Sequence, residues 1–231
     1  MRIEPELSEV AIVLVGNLNP RIFTPDWFAR HGLFSVKDAD AAEIDVVHAQ
    51  VTSFHNEWLS IRVEQERFQA STTVAPYSNL LDLVVRTFKE FLPHTPLAKL
   101  GINRTVHFDV GSFEVRDRIG QRLAPKETWG EWAKDLAAGD EKRTGGMSSL
   151  TMVQTKVDDR ARGFIQATVE PSRRIGGSRT GIYLHVNDHY EVEEPDKVTG
   201  GDEMVAILAE HFDASIKRSE WIADQIMRLK E

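Results

Sequence analysis

An unbroken apolar run, Val10 to Leu18, has the length and β-branched content of a buried strand and is expected at the centre of a sheet. Asn19 and Pro20 close it. Thr24, Pro25 and Asp26 then supply an N-cap, a proline at the first helical position and an acid in the first turn. A short helix carrying Trp27, Phe28 and His31 follows and ends at Gly32. Residues 45–54 and 58–70 predict two strands joined through His55, Asn56 and Glu57. Leu59, Ile61 and Val63 share one face there, and Ser60, Arg62 and Glu64 the other. The alternation slips after Gln65, which places a bulge or bend near Glu66 and Arg67.

Leu81, Val84, Val85, Phe88 and Leu92 recur at helical spacing, so a helix over 78–92 is expected, stopped by Pro93. Residues 100–110 alternate as a strand, with Ile102, Val106, Phe108 and Val110 opposite Asn103, Thr105, His107 and Asp109. Arg104 interrupts the apolar set and needs a partner or an edge position. Residues 111–145 are irregular, with one helix expected over 126–138; core packing is the expected fate of its Trp129 and Trp132. Gly139, Asp140, Gly145 and Gly146 mark the boundary between two halves. Beyond it, residues 148–157, 163–170 and 181–192 predict a three-stranded meander, turned at Asp158–Asp159 and at 175–178. Met204, Ile207, Leu208, His211, Phe212, Ser215, Ile222, Ile226 and Leu229 predict one long C-terminal helix.

The expected fold is therefore α+β, mostly antiparallel sheets with packed helices. An N-terminal half, 1–145, and a C-terminal half, 146–231, are expected to pack as one unit. Both run strands and then a helix, an order that two similar halves would share.

Composition narrows the function. Of 231 residues, 41% are hydrophobic and 28% charged, which suits a full core rather than a disordered chain. The absence of cysteine removes disulfides, thiolate metal sites and a cysteine nucleophile. No run reaches the roughly 20 apolar residues that cross a bilayer. The opening from Met1 to Glu6 lacks a basic segment followed by an apolar one, so no membrane association and a cytoplasmic address are expected. A net charge of −8 opposes general attraction to nucleic acid. Lys156, Arg160, Arg162, Arg173, Arg174 and Arg179 nevertheless concentrate basic charge in the second half, and the glycine-bearing stretch from Arg173 to Arg179 suits an anion or nucleic-acid contact.

His185 and His189 fall on one side of a strand with Asn187, opposite Ile182, Leu184 and Val186. Two imidazoles alone are a weak metal site, and Asp188 points to the other face; a polar strand edge is the plainer reading. The acids at Asp109, Glu114 and Asp117, and at Glu191, Glu193 and Glu194, have no spacing that marks acid–base catalysis. No nucleophile elbow, zinc-protease helix, phosphate loop or dinucleotide fingerprint occurs. No cofactor and no catalytic residue are expected. Trp221, Ile222, Ile226 and Leu229 extend the helical stripe beyond what a compact domain easily covers, so they are the expected interface of a homo-oligomer or protein partner.

The apolar first strand, the segment Glu66 to Phe68 before a helix, the stretch Leu100, Gly101, Ile102, Asn103 and Arg104, and the long terminal helix together resemble a sporadically distributed family of uncharacterised bacterial proteins. The resemblance implies no reaction or cofactor, and its sporadic distribution points to mobile or defence-associated genes. It singles out Asn103 and Arg104, for which structural roles are available: Asn103 satisfying a backbone edge, Arg104 pairing with an acid inside the sheet. The leading expectation is a non-catalytic interaction or assembly protein. A nucleic-acid or nucleotide-binding module and a metal-dependent hydrolase are the rivals.

Overall fold

A computed structural model describes residues 4–137 and 145–231. Val10 to Leu14 sit inside β1 (Leu7–Gly16), the middle strand of the sheet, so the unbroken apolar run does mark the centre. Thr24 caps α1 (Pro25–Arg30), accepting a hydrogen bond from the Trp27 amide at 3.2 Å, and α2 (Val36–Asp40) follows. Four short strands then zigzag: β2 (Glu43–Val47), β3 (Val51–His55), β4 (Ser60–Glu64) and β5 (Arg67–Thr72). α3 (Ser78–Arg86) continues through a π-helical turn over Thr87–Phe91, as its apolar spacing predicts.

The chain from β6 (Leu97–Asp109) onward, a unit that begins well before the expected boundary at 145/146, repeats that plan. β6 leads into α4 (Phe113–Leu123) and α5 (Trp132–Ala137). The meander β7 (Leu150–Gln154), β8 (Gly163–Pro171) and β9 (Gly181–Glu191) ends in α6 (Asp202–Met227). All nine described strands form one antiparallel sheet in the order β2-β3-β4-β5-β1-β6-β9-β8-β7. In each half the last strand of the meander returns to lie beside the first, and β1 and β6 join the halves edge to edge. The fold is α+β.

Helices α1, α3, α4 and α6 cover one face only. Val10, Ile12 and Leu14 of β1 and Phe68 of β5 meet Phe23, Phe28, Phe88 and Leu208 in a first core. Val106, Phe108, Ile165, Val169 and Leu184 meet Ile119, Ala223 and Met227 in a second. α6, 26 residues and so about 39 Å long, reaches across both. Each fully buried Phe or Leu here contributes about 1.5–3 kcal/mol.

Four local expectations differ. The single strand over 45–54 is a hairpin that turns at His48 to Gln50, and the single strand over 58–70 is another that reverses at Gln65 and Glu66 instead of bulging. Alternation passes through such a turn unnoticed, because Val63 pairs with Phe68 across the hairpin and keeps the same face buried. The helix over 126–138 is a 3-10 turn, Lys126–Trp129, broken from α5 by Gly130 at φ +63°. Trp129 and Trp132 are exposed, not core, and stack edge to face at 5.5 Å. α4 was not anticipated at all. The boundary residues Gly139 and Asp140, with Lys142 and Arg143, lie outside the described residues.

Candidate functional site

Two constellations concentrate the polar side chains of the central strands, one on each face. On the helix-covered face, Asp188 of β9 follows Ile182, Leu184 and Val186 inward and is only 1% exposed. It accepts hydrogen bonds from Arg160 Nη1 at 2.5 Å, from Arg218 Nη1 at 2.6 Å and from the Ser215 hydroxyl. Asp159 answers the same two guanidiniums, at 2.7 Å to Arg160 Nε and 2.6 Å to Arg218 Nη2. The Arg160 guanidinium lies 3.7 Å above the Tyr190 ring and donates to the His189 carbonyl at 2.9 Å; His211 of α6 stacks on Tyr190 at 5.4 Å. Burial pushes the Asp159 carboxyl up, but the hydrogen bonds and charges of Arg160 and Arg218 hold it down at about 2. Two acids and two bases therefore neutralise one another, fastening the turn before β8 to β9 and α6. With every charge matched and no open nucleophile, the cluster is a structural clamp.

Arg104 belongs to the same face. It lies in an interior strand, and among the described residues its partner is Tyr77 rather than an acid: the guanidinium stands 4.9 Å from the ring centroid and Nη1 donates to the phenol oxygen at 2.9 Å.

On the opposite face no described helix packs, and Val13, Val15, Phe164 and Tyr183 join neither core. Register sets the side chains in rows across β1, β6, β9 and β8. Ala11, Asn103, Asn187 and Gln166 form one row, with Val13, Gly101, His189 and Phe164 beside it. On the other flank lie Glu9, Thr105, His185 and Thr168. Gly101 leaves a hollow over which the amides lean; a Cβ there would stand 3.1 Å from both Asn103 Nδ2 and Asn187 Oδ1. Asn187 Oδ1 is buried with no hydrogen-bond partner, while Asn103 donates to the Gly101 carbonyl at 3.2 Å. His185 Nδ1 lies 3.1 Å from the Thr105 hydroxyl, His189 stacks on Phe164 at 4.6 Å, and Tyr183 lies parallel to His185.

These imidazoles are neutral at pH 7. Burial lowers the affinity of His185 for a proton against the pull of Glu9, and burial with Lys99 and Arg160 does the same for His189 against Glu191 and Asp188. His107, hydrogen-bonded to Ser172 at 2.8 Å, is lowered by burial and by Arg174. From Ala11 to Gln166 the centre of the face thus carries no charge. Its charges stand around it: Arg67, Lys99 and Glu191 with Arg162 at one end, Glu9, Asp109 and Glu170 at the other, and Arg62 and Glu64 of β4 beyond β5. Such a surface can stack and hydrogen-bond a broad partner, but it offers no activated nucleophile.

The structure separates the residues nominated from sequence. His185 and His189 do share a face, but β9 is an interior strand, not an edge, and among the described residues no group of three His, Asp or Glu side chains converges on a metal-sized site. Arg160 is no surface contact, its side chain being 4% exposed inside the clamp; Arg162 donates to the Glu193 carbonyl at 2.7 Å. Arg173, Arg174 and Arg179 do stand exposed around the tip between β8 and β9, where Gly176 and Gly177 both take positive φ. Ile222, Ile226 and Leu229 are half-buried against the second core, because β6 and α4 reach the end of α6; Trp221 alone remains outside, at 62% exposure.

Sequence reasoning passed over the clamp and the charge-free face. An acid on the apolar side of an interior strand is the available signal for Asp188, and the run of uncharged polar residues on the other side of β6 and β9 is the signal for the face. No protein-family model matches the chain, and no curated protein is significantly similar to it.

Proposed function

We propose that this protein is a non-catalytic interaction module that engages a protein partner through the helix-free face of its sheet. The observation that carries the reading is the distribution of charge on that face. A merely solvated sheet surface is rich in Lys, Glu and Arg, whereas here half-buried Asn, His, Thr, Gln and aromatic side chains fill the centre and ionised groups are kept to the rim. Charge depletion at the centre with a polar rim is the anatomy of protein interfaces. With Arg160 enclosed in the clamp, the nucleic-acid reading keeps Lys156, the half-exposed Arg162 and the hairpin tip at Arg173, Arg174 and Arg179.

The test is affinity capture from the native host with three baits: wild type, the face variant Gln166→Lys with Thr168→Lys, and the helix-side control Glu203→Lys. A partner held by wild type and control but lost by the face variant supports the reading. A partner retained equally by all three, or none captured by any, refutes it.

A further inference from the structure

The two edges of the sheet are not alike. β2 is guarded: Glu43 and Asp45 project from it, and its pairing with β3 slips between Ile44 and Val46, devices that discourage a further strand. β7 has neither. Leu150 to Gln154 contains no charge, no proline and no bulge, and Met152 and Val153 are 67% and 50% exposed. One row of backbone donors and acceptors along β7 has no described strand beside it. Extended backbone is the chemistry that satisfies such an edge.

We propose that β7 pairs antiparallel with β7 of a second copy of this chain, about a two-fold axis at Met152. In that register Met152 of one copy faces Met152 of the other, Thr151 faces Val153, and Leu150 faces Gln154, so no like charges meet. A second copy is the fitting occupant because the edge is self-complementary and the opposite edge is closed. Joining two sheets through β7 leaves a guarded β2 at each outer end, so assembly stops at a dimer rather than growing into a fibre. Five residues give about 17 Å of paired strand, which is small for a stable interface, and the association is accordingly weak and concentration-dependent. The edge adjoins the charge-free face, Thr151 and Val153 pairing with Thr168 and Gln166, but its occupant is a second copy of the chain, so self-association of the pure protein tests this reading without reference to a captured partner.

Sedimentation velocity of the full chain across a concentration series tests the pairing. Wild type shows a monomer–dimer equilibrium. Met152→Lys and Met152→Glu, each with a thermal melt like that of wild type because the position is exposed, lose association at least tenfold through like charges across the axis. Mixed in equal amounts the two variants associate again. Wild type that stays monomeric throughout, a Lys variant that associates undiminished, or a mixture that remains monomeric overturns the proposal.

Discussion

Asp188→Asn tests the clamp most directly, since it preserves shape and removes only charge. In the folded protein Asp188 accepts from Arg160 Nη1, Arg218 Nη1 and the Ser215 hydroxyl, in a setting where both Asp188 and Arg160 are almost wholly shielded from water. Without it, two guanidiniums face the single charge of Asp159, and Arg160 is left buried with excess positive charge. Breaking a buried pair from one side costs about 3–5 kcal/mol, most of it the penalty on the abandoned partner. For a chain of this size that lowers the melting temperature by about 6–20 °C. Asp159→Asn cuts the same network from its wetter side, where the carboxylate keeps 26% of its exposure, and should cost about 1–2 kcal/mol. Urea unfolding followed by circular dichroism, with equal m-values, measures both. An Asp188→Asn variant within about 1 kcal/mol of wild type, or one less damaged than Asp159→Asn, would refute the reading of these residues as a charge-balanced clamp.

Three further outcomes follow from the same structure. Because the folded-state affinity of Asp159 for a proton lies below that of the unfolded chain, its contribution of about 1–2 kcal/mol is complete above pH 5 and lost as pH falls from about 4 to 2; an Asp159→Asn variant should lose less stability than wild type over that interval in acid titrations of urea midpoints. Gly163→Ala should destabilise by at least about 2 kcal/mol in the same assay, since φ is +142° and the new Cβ would meet the His189 carbonyl oxygen at 2.1 Å. Ending the chain after Ser219 should not merely change assembly. It removes Ala223 and Met227 from the second core together with the cover of Ile222, Ile226 and Leu229, and calorimetry should show loss of more than about 4 kcal/mol or of the cooperative transition itself.

Much of the fold is legible in local pattern. Val10 to Leu18 announces a central strand because both of its neighbours and the helix layer demand apolar contacts. Thr24 with Pro25 fixes a helix start through backbone chemistry alone. Hairpin turns at His48 to Gln50 and at Gln65 to Glu66 are not legible, since they use no glycine, proline or asparagine and the buried face continues through them. α4 escapes for another reason: Arg116, Asp117, Arg118 and Gly120 mask a stripe that consists of little more than Val115, Ile119 and Leu123. The clamp is invisible to any window, because Asp159 and Arg218 are 59 positions apart and meet only when α6 docks. The end of α6 misleads for the same reason. Its stripe looks surplus until α4, itself unseen, is there to cover it.

The placement of β1 and β6 at the centre of the sheet also orders events during synthesis. Each is the first strand of its half to emerge from the ribosome, yet each completes its pairing last. β1 finds β5 after some fifty residues more have been made, but its other edge stays bare until β6 arrives, and β6 in turn waits for β9. Long-range antiparallel pairings of this kind slow folding and prolong the exposure of apolar edges. The nascent N-terminal half is thus a template seeking its own β6, and crowding of such chains on one messenger is the circumstance in which β1 of one copy would capture the wrong one.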